Sequence, residues 1–359
     1  MRPNSLSDVQ SVRDRRIEQV VPLATPALLL HEHPLPAERV EDVLNSRDEI
    51  TRILDRVDHR LLVVVGPCSV HDVDAAHEYA QRLAELSLEL GDLLIAMRVY
   101  FEKPRTTTGW KGLINDPHLD GSGDVNSGLR LARELLLEVL DLGLPIGCEF
   151  LDPITPQYIA DTVAWGAIGA RTTESQTHRQ LASGLSMPVG FKNRTDGNIG
   201  VAVDAVRAAA AQHSFAGVDL SGTSAILHTT GNRDCHIILR GGRDATNYDS
   251  DSIAATLADL RAVDLPERVI VDASHDNSGK DYERQPRVAS EIAAEVAGGE
   301  AAIVGVMLES FLEPGRQDLG GKLTYGQSVT DACMSWETTV EVLRGLDEAS
   351  AARRSSAQE

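Results

Sequence analysis

The sequence predicts a (β/α)8 (TIM) barrel with an N-terminal extension and a β-hairpin inserted before the sixth barrel strand. Three observations point there. From residue 61 onward, eight short apolar runs alternate with helix-like stretches. Their hydrophobicity is continuous, not alternating, which suits strands buried on both faces of a parallel sheet. Each run also ends at or next to a titratable side chain, as expected where a barrel gathers its chemistry at the strand ends. An open doubly wound sheet is the structural alternative.

The runs are LLVVVGPCS (61–69), LLIAMRVYF (93–101), PIGCEFL (145–151), AIGAR (167–171), PVGFKN (188–193), HIILRGG (236–242), RVIVDASH (268–275) and AAIVGVMLES (301–310). Between them, 72–90 and 127–143 repeat apolar residues at 3–4 spacing, the signature of a helix with one buried stripe. Thr155-Pro156 reads as a cap followed by a first-turn proline. Helices follow over 198–213, 251–263 and 286–299. Residues 1–60 form an extension that ends in a helical stretch at 41–57 and is assigned to assembly or regulation. The catalytic barrel spans 61–345. Within it, 214–232 reads as a hairpin turning at Ser221-Gly222. Residues 346–359 read as a disordered tail.

Composition narrows the function. A chain of 359 residues with 42% hydrophobic and 25% charged residues is long enough for a large globular core. A net charge of −20 argues against nucleic acid or an anionic membrane as partner. No apolar run reaches the length of a membrane span, and the stretch MRPNSLSDVQSVRDRR lacks the apolar h-region of a secretory signal. The four cysteines form no CxxC pair, which fits a reduced, cytoplasmic setting.

Against that acidic background, MRVYFEKPRTTTGWKG (97–112) concentrates cations at a strand end. Arg98, Lys103, Arg105, Arg171, Lys192 and Arg240 would all face one mouth. Six cations in one place require anions, and phosphate and carboxylate are what guanidinium and ammonium groups grip. Glu102, Glu149 and Glu174 could neutralise only part of the cluster. A second set, Cys68, His275 and Glu309 with Asp331 just beyond the last strand, offers thiolate, imidazole and carboxylate donors. That mixture suits a divalent transition metal (Mn, Fe, Co or Zn) better than Mg or Ca. Each residue alone reads more simply as a packed cysteine, a structural histidine or a solvated charge. Their convergence at barrel strand ends favours the site.

The motifs GPCSVHD (66–72), MRVYFEKPRTTTGWKGLINDP (97–117), EFLD (149–152), WGAIGARTTESQTHRQLASGLSMPVGFKN (165–193), CHIILRGG (235–242), SHDNSGK (274–280), GVMLES (305–310) and YGQSVTDAC (325–333) closely resemble those of type I 3-deoxy-D-arabino-heptulosonate-7-phosphate (DAHP) synthases, the aromatic-amino-acid-regulated class. The resemblance runs in order from about residue 13 to 345. It implies condensation of phosphoenolpyruvate with erythrose 4-phosphate and water, the first step of the shikimate pathway. It further implies that Arg171, Lys192 and Arg240 hold the phosphate of phosphoenolpyruvate, and that Arg98 and Lys192 hold its carboxylate, with Lys103 nearby. Arg105 and Thr106 would hold the phosphate of the sugar, and Cys68, His275, Glu309 and Asp331 the metal. Lys103 is the candidate proton donor and Glu149 a candidate for positioning water. Cys333 reads either as a packed cysteine or as a partner that forms a disulfide with Cys68 once metal is lost.

The family's feedback pocket would involve Pro156, Gln157, Leu181, Ser186, Phe215 and Gly217. Glycine at 217 leaves room for a larger or hydroxylated ring, so Tyr is the first expected effector and Trp the second. The segment QSVRDRRIEQVVPLATPALL (10–29) lacks the family's acidic pair and carries an insertion, so feedback is expected to be altered or absent. A homodimer or homotetramer is implied. Three other readings compete. A 3-deoxy-D-manno-octulosonate-8-phosphate synthase would carry KANRS in place of KPRT. A Schiff-base aldolase would use Lys192 or Lys103. A non-catalytic sugar-phosphate sensor would have lost a ligand or cation, and none is missing.

Overall fold

The computed structural model describes residues 13–105 and 107–356. Eight parallel strands close into a barrel: β1 (Leu61–Gly66), β2 (Leu93–Arg98), β3 (Ile146–Glu149), β4 (Trp165–Ile168), β5 (Val189–Lys192), β8 (His236–Leu239), β9 (Val269–Asp272) and β10 (Ile303–Glu309). Nearly every strand residue is buried, which explains the unbroken apolar runs. The hairpin β6 (Ser214–Val218) and β7 (Ser224–His228) stands apart as a two-stranded antiparallel sheet. Its loop spans five residues, with the Asp219 carboxylate accepting from the Ser221 and Thr223 amides.

The helices are α1 (Pro26–Glu32), α2 (Ala37–Leu54), α3 (Val73–Ser87), α4 (Val125–Asp141), α5 (Pro156–Ile159), α6 (Gln176–Ala182), α7 (Gly200–Ala209), α8 (Ser250–Arg261), α9 (Gln285–Ala297) and α10 (Trp336–Ser356). Asp72, Asp124 and Asp249 cap α3, α4 and α8 by accepting the amides of Ala75, Ser127 and Ser252. None of these helices is long and apolar enough to cross a membrane.

Two packing layers result. The larger lies between strands and helices. The smaller fills the barrel, with Leu62, Val64, Trp165, Ile238 and Met307 pointing inward. Ile50, Ile53 and Leu54 of α2 join this inner layer. The extension therefore closes one end of the barrel, beyond the assembly or regulatory part assigned to it from sequence. Truncating a fully buried Ile such as Ile53 to Ala costs about 2–5 kcal/mol.

Two expectations are corrected. Through Ser356 the tail is helical, not disordered: α10 continues to that residue, because Ala349 and Ser350 are buried against the body, and 357–359 lie outside the described residues. Arg353 also donates to the Glu300 and Ile303 carbonyls at 3.3 and 2.7 Å. Thr155 holds the N-cap position before Pro156 as read, but without a side-chain cap bond; its hydroxyl donates to Asp152, and the same carboxylate accepts the Ile154 and Thr155 amides.

Candidate active site

All eight barrel strands end at one mouth, and a cavity of about 640 Å3 opens there. Arg98, Lys103, Arg171, Lys192 and Arg240 line it, together with Glu149, His275 and Asp331. Arg105 lies in an adjoining cavity of about 200 Å3, which shares Lys103, Arg171 and Asp331 with the first. Thr106 lies outside the described residues. Glu102 does not line either cavity. It is buried, and burial, followed by the charges of Asp152 and Glu149, pushes its carboxyl up to about 8. A largely protonated Glu102 neutralises no cation, contrary to the reading from sequence.

The metal candidates converge incompletely. Cys68 Sγ and one carboxylate oxygen each from Glu309 and Asp331 lie within 4.8 Å of one another. His275 stands beside this group: its Nε2 is 3.7 Å from Glu309 Oε1, but it does not join the mutual cluster. Its Nδ1 lies 2.8 Å from the fully buried Asp272 Oδ2, a contact that fixes the ring with Nε2 toward the cluster. Asp331 reaches the site because its loop returns over β1, where Ser69 and Thr330 hydroxyls meet at 2.7 Å.

Lys103 Nζ donates to Cys68 Sγ at 2.7 Å, inside the same cluster. Burial, then Glu309, pushes the Cys68 thiol up to about 11. Burial would also raise Glu309, but His275, Arg98 and Lys103 outweigh it and hold that carboxyl below its ordinary value. Asp331 is held low against burial, chiefly by Lys103 and His275. For Lys103, burial alone would favour the neutral amine; Cys68, Asp331 and Glu309 reverse this and raise its pKa. A soft sulfur, two carboxylates and an oriented imidazole fit a divalent transition metal. Cys333 is a free thiol whose Sγ accepts the Cys68 amide at 3.4 Å.

The cations are held by carboxylates. Arg98 is buried, donates to Glu309 Oε1 at 2.9 Å and to the Pro67 and Cys68 carbonyls, and lies 3.7 Å above the Tyr100 ring. Lys192 donates to Asp272 Oδ2 at 2.8 Å. Burial lowers the Lys192 pKa despite this partner. Arg240 pairs with Asp276, yet its buried Nε has no partner among the described residues. Glu149 is oriented by close approach: a side chain at Gly169 would collide with its carboxylate.

Sequence reasoning missed Asp272, which joins Lys192 to His275, and Asp276, which holds Arg240. It also missed Arg194, Arg243 and Lys280 on the cavity wall. An Asp closing the apolar run VIVD was a readable signal for the first. Leu181 packs in the core, while Ser186 lines a separate cavity of about 740 Å3 with Leu185, Arg47 and Asp234. Phe215 is half-buried on β6, and a Cβ at Gly217 would meet Leu227 Cδ1 at 2.7 Å.

Comparison with known proteins points to one family. A model of the DAHP synthetase I family matches residues 41–344. The chain is 55% identical to the Phe-sensitive phospho-2-dehydro-3-deoxyheptonate aldolase of Escherichia coli (strain K12), over 95% of this chain and 98% of that protein. It is 49% identical to the tyrosine-inhibited enzyme of the same name from Schizosaccharomyces pombe, over 97% and 95%. The solved phospho-2-dehydro-3-deoxyheptonate aldolase of Francisella tularensis superposes with a TM-score of 0.93 at 50% identity, covering 94% of this chain and 99% of that one.

Proposed function

This chain belongs to the DAHP synthetase I family and catalyses that family's carbon–carbon bond-forming reaction; from that premise we infer how its own residues divide the work. The substrates are phosphoenolpyruvate and D-erythrose 4-phosphate, and the products are DAHP and phosphate. One observation carries the assignment. Eight cations line the main cavity against four carboxylates, directly beside a thiol–carboxylate cluster. Two phosphates and a carboxylate are the charge such a wall requires.

Lys192, Arg171 and Arg240 face the phosphate of phosphoenolpyruvate, with the free Arg240 Nε available to it. Arg98 and Lys192 take its carboxylate. Arg105 takes the sugar phosphate from the adjoining cavity, and the family resemblance adds Thr106. Cys68, His275, Glu309 and Asp331 would hold Mn, Fe, Co or Zn, which supplies Lewis-acid polarisation of the aldehyde when bound. Carbon C3 of the enol attacks the aldehyde, and negative charge grows on its oxygen. Lys103 is charged in the resting site and holds a proton for that oxygen. Water adds at C2 of the resulting cation, positioned by Glu149, and phosphate leaves.

Feedback by an aromatic amino acid is proposed on the same family ground, with Tyr first and Trp second, the order that glycine at 217 suggests from the sequence, although Leu227 packs against that glycine. Inhibition by Phe alone would overturn that order. A homodimer or homotetramer is supported by Ile17, Val20 and Val21, which are more than half exposed on the N-terminal segment. Light scattering on the full chain checks it. The decisive experiment follows phosphoenolpyruvate consumption with and without erythrose 4-phosphate, after EDTA and after return of each metal. Consumption that needs both sugar and metal establishes the reaction. Consumption without metal, or with borohydride-trappable substrate, would refute it.

A further inference from the structure

A second cavity, of about 370 Å3, lies at the opposite end of the barrel from the catalytic mouth. Its floor is apolar, made by Ile53 of α2 with Ala301 and Val304 beside the start of β10. Its rim carries four arginines: Arg56, Arg60, Arg353 and Arg354. Two are already neutralised. Arg60 pairs with Asp58 at 2.6 Å, and Arg354 with Asp92 at 3.1 Å. The other two form no ion pair among the described residues. Arg56 donates only to the Glu267 carbonyl, and Arg353 only to the carbonyls of Glu300, Ile303 and His59. Burial and then the nearby Arg56 charge both disfavour the charged form of Arg353, so the two guanidiniums repel across the cavity.

The backbone at this rim is strained. Arg56 sits just past the end of α2 with φ +60, a position where glycine is the usual residue. Residues at this end of a barrel ordinarily serve stability. Two like charges with no ion pair among the described residues, above an apolar floor, do not serve it, even with the Glu300 charge near Arg353 and Asp58 held by Arg60.

We propose that this cavity binds a small organic anion, a monocarboxylate with an apolar body of one or two rings. The two guanidiniums without an ion pair take the carboxylate through the N–H donors their carbonyl contacts leave over, and Ile53, Ala301 and Val304 take the ring. A zwitterionic amino acid does not fit, because the guanidiniums repel an ammonium group. The site is therefore distinct in ligand chemistry from an aromatic amino acid pocket.

The test titrates benzoate and 2-naphthoate into the full chain by calorimetry, at low salt, with saturating phosphoenolpyruvate and no aldehyde. Arg56→Gly removes one guanidinium while relaxing the backbone, so its melting temperature should not fall. Arg56→Asn, which also tolerates this region, is the second variant. The expected result is one site for the ring carboxylates, weakened about tenfold or more in both variants, with turnover unchanged. No binding, displacement by phosphoenolpyruvate or by phenylalanine, or unaltered affinity in the variants would each overturn the proposal. Equal affinity for inorganic phosphate would also overturn it, since the apolar floor would then play no part.

Discussion

Replacing Asp272 by Asn tests whether one buried carboxylate serves both halves of the site. Asp272 is fully buried. Its Oδ1 accepts the Ser274 amide at 3.0 Å and the Ser274 hydroxyl at 2.5 Å. Its Oδ2 accepts Lys192 Nζ and His275 Nδ1, both at 2.8 Å. Every contact is a donor pointing at oxygen. An Asn side chain has one oxygen, so whichever way it turns, its NH2 meets two donors. The Lys192 charge also loses its counter-ion in a dry site. Breaking a buried pair by neutralising one partner costs about 3–5 kcal/mol. For a chain of this length that corresponds to a melting temperature lower by about 4–7 °C. His275 loses the bond that holds its Nε2 toward Glu309, and metal affinity should fall about 10–100-fold. Calorimetric titration of Mn into EDTA-stripped protein reads the second effect, and scanning calorimetry the first. A variant with Mn affinity within about threefold of wild type would refute the coupling through His275. A melting temperature within about 1 °C would refute the buried-pair argument for Lys192.

Three further outcomes follow from the same geometry. Lys103→Ala should lower kcat by about 10²–10⁴-fold while phosphoenolpyruvate still binds, and near-normal turnover would remove Lys103 as the proton donor. Glu102 has its carboxyl raised from 4.5 to about 8, so between those values the folded chain keeps a proton that the unfolded chain has lost. Stability should therefore fall as pH rises through that window, by about 1.4 kcal/mol per pH unit, and Glu102→Gln should flatten the slope. Parallel denaturation profiles for the two proteins between pH 5 and 8, read at about one-unit steps, would show that Glu102 is ordinary. Gly112 has φ +119, and a Cβ there would lie 1.9 Å from the Phe101 carbonyl oxygen. Gly112→Ala should displace the loop that pairs Lys103 N with Lys111 O, raising the KM for the sugar phosphate and costing about 1–3 kcal/mol of stability; unchanged KM would separate that loop from substrate binding.

The strands were legible in the sequence because burial on both faces removes polar residues from them, leaving runs such as LLVVV and VIV. The strand-end residues were legible for the same reason: a charge at the close of an apolar run stands out. What lay beyond the strands was less so. Arg194 and Arg243 follow Lys192 and Arg240 by two or three residues, and only the path of each loop decides whether they face the cavity. The apolar stripe of α2 was visible, but not that Ile50, Ile53 and Leu54 would enter the barrel. The tail misled because alanine and arginine suit an exposed helix and a disordered segment equally. The contacts of Arg353 with three carbonyls are long-range and leave no local trace.

The cations at the end of β2 and β5 raise a physical question that their ligands alone do not answer: how such a wall survives before substrate arrives. The pairings supply the answer. Arg98 rests on Glu309, Lys192 on Asp272, Arg240 on Asp276 and Lys103 on the Cys68 sulfur. Two of these partners, Glu309 and Cys68, are themselves metal candidates, and Asp272 orients a third, His275. The same side chains therefore hold the cations in place and either are, or orient, the candidate metal ligands. Glu309 and Cys68, if they ligate a bound divalent cation, would hold Arg98 and Lys103 less tightly. Those two side chains then gain more from an incoming phosphate or carboxylate than they would in the metal-free protein. Metal should thus tighten phosphoenolpyruvate binding, and by reciprocity phosphoenolpyruvate should tighten the metal. Titrating phosphoenolpyruvate with and without Mn, in the absence of the aldehyde, measures that coupling, and equal affinities in the two titrations would show that the partners are not shared.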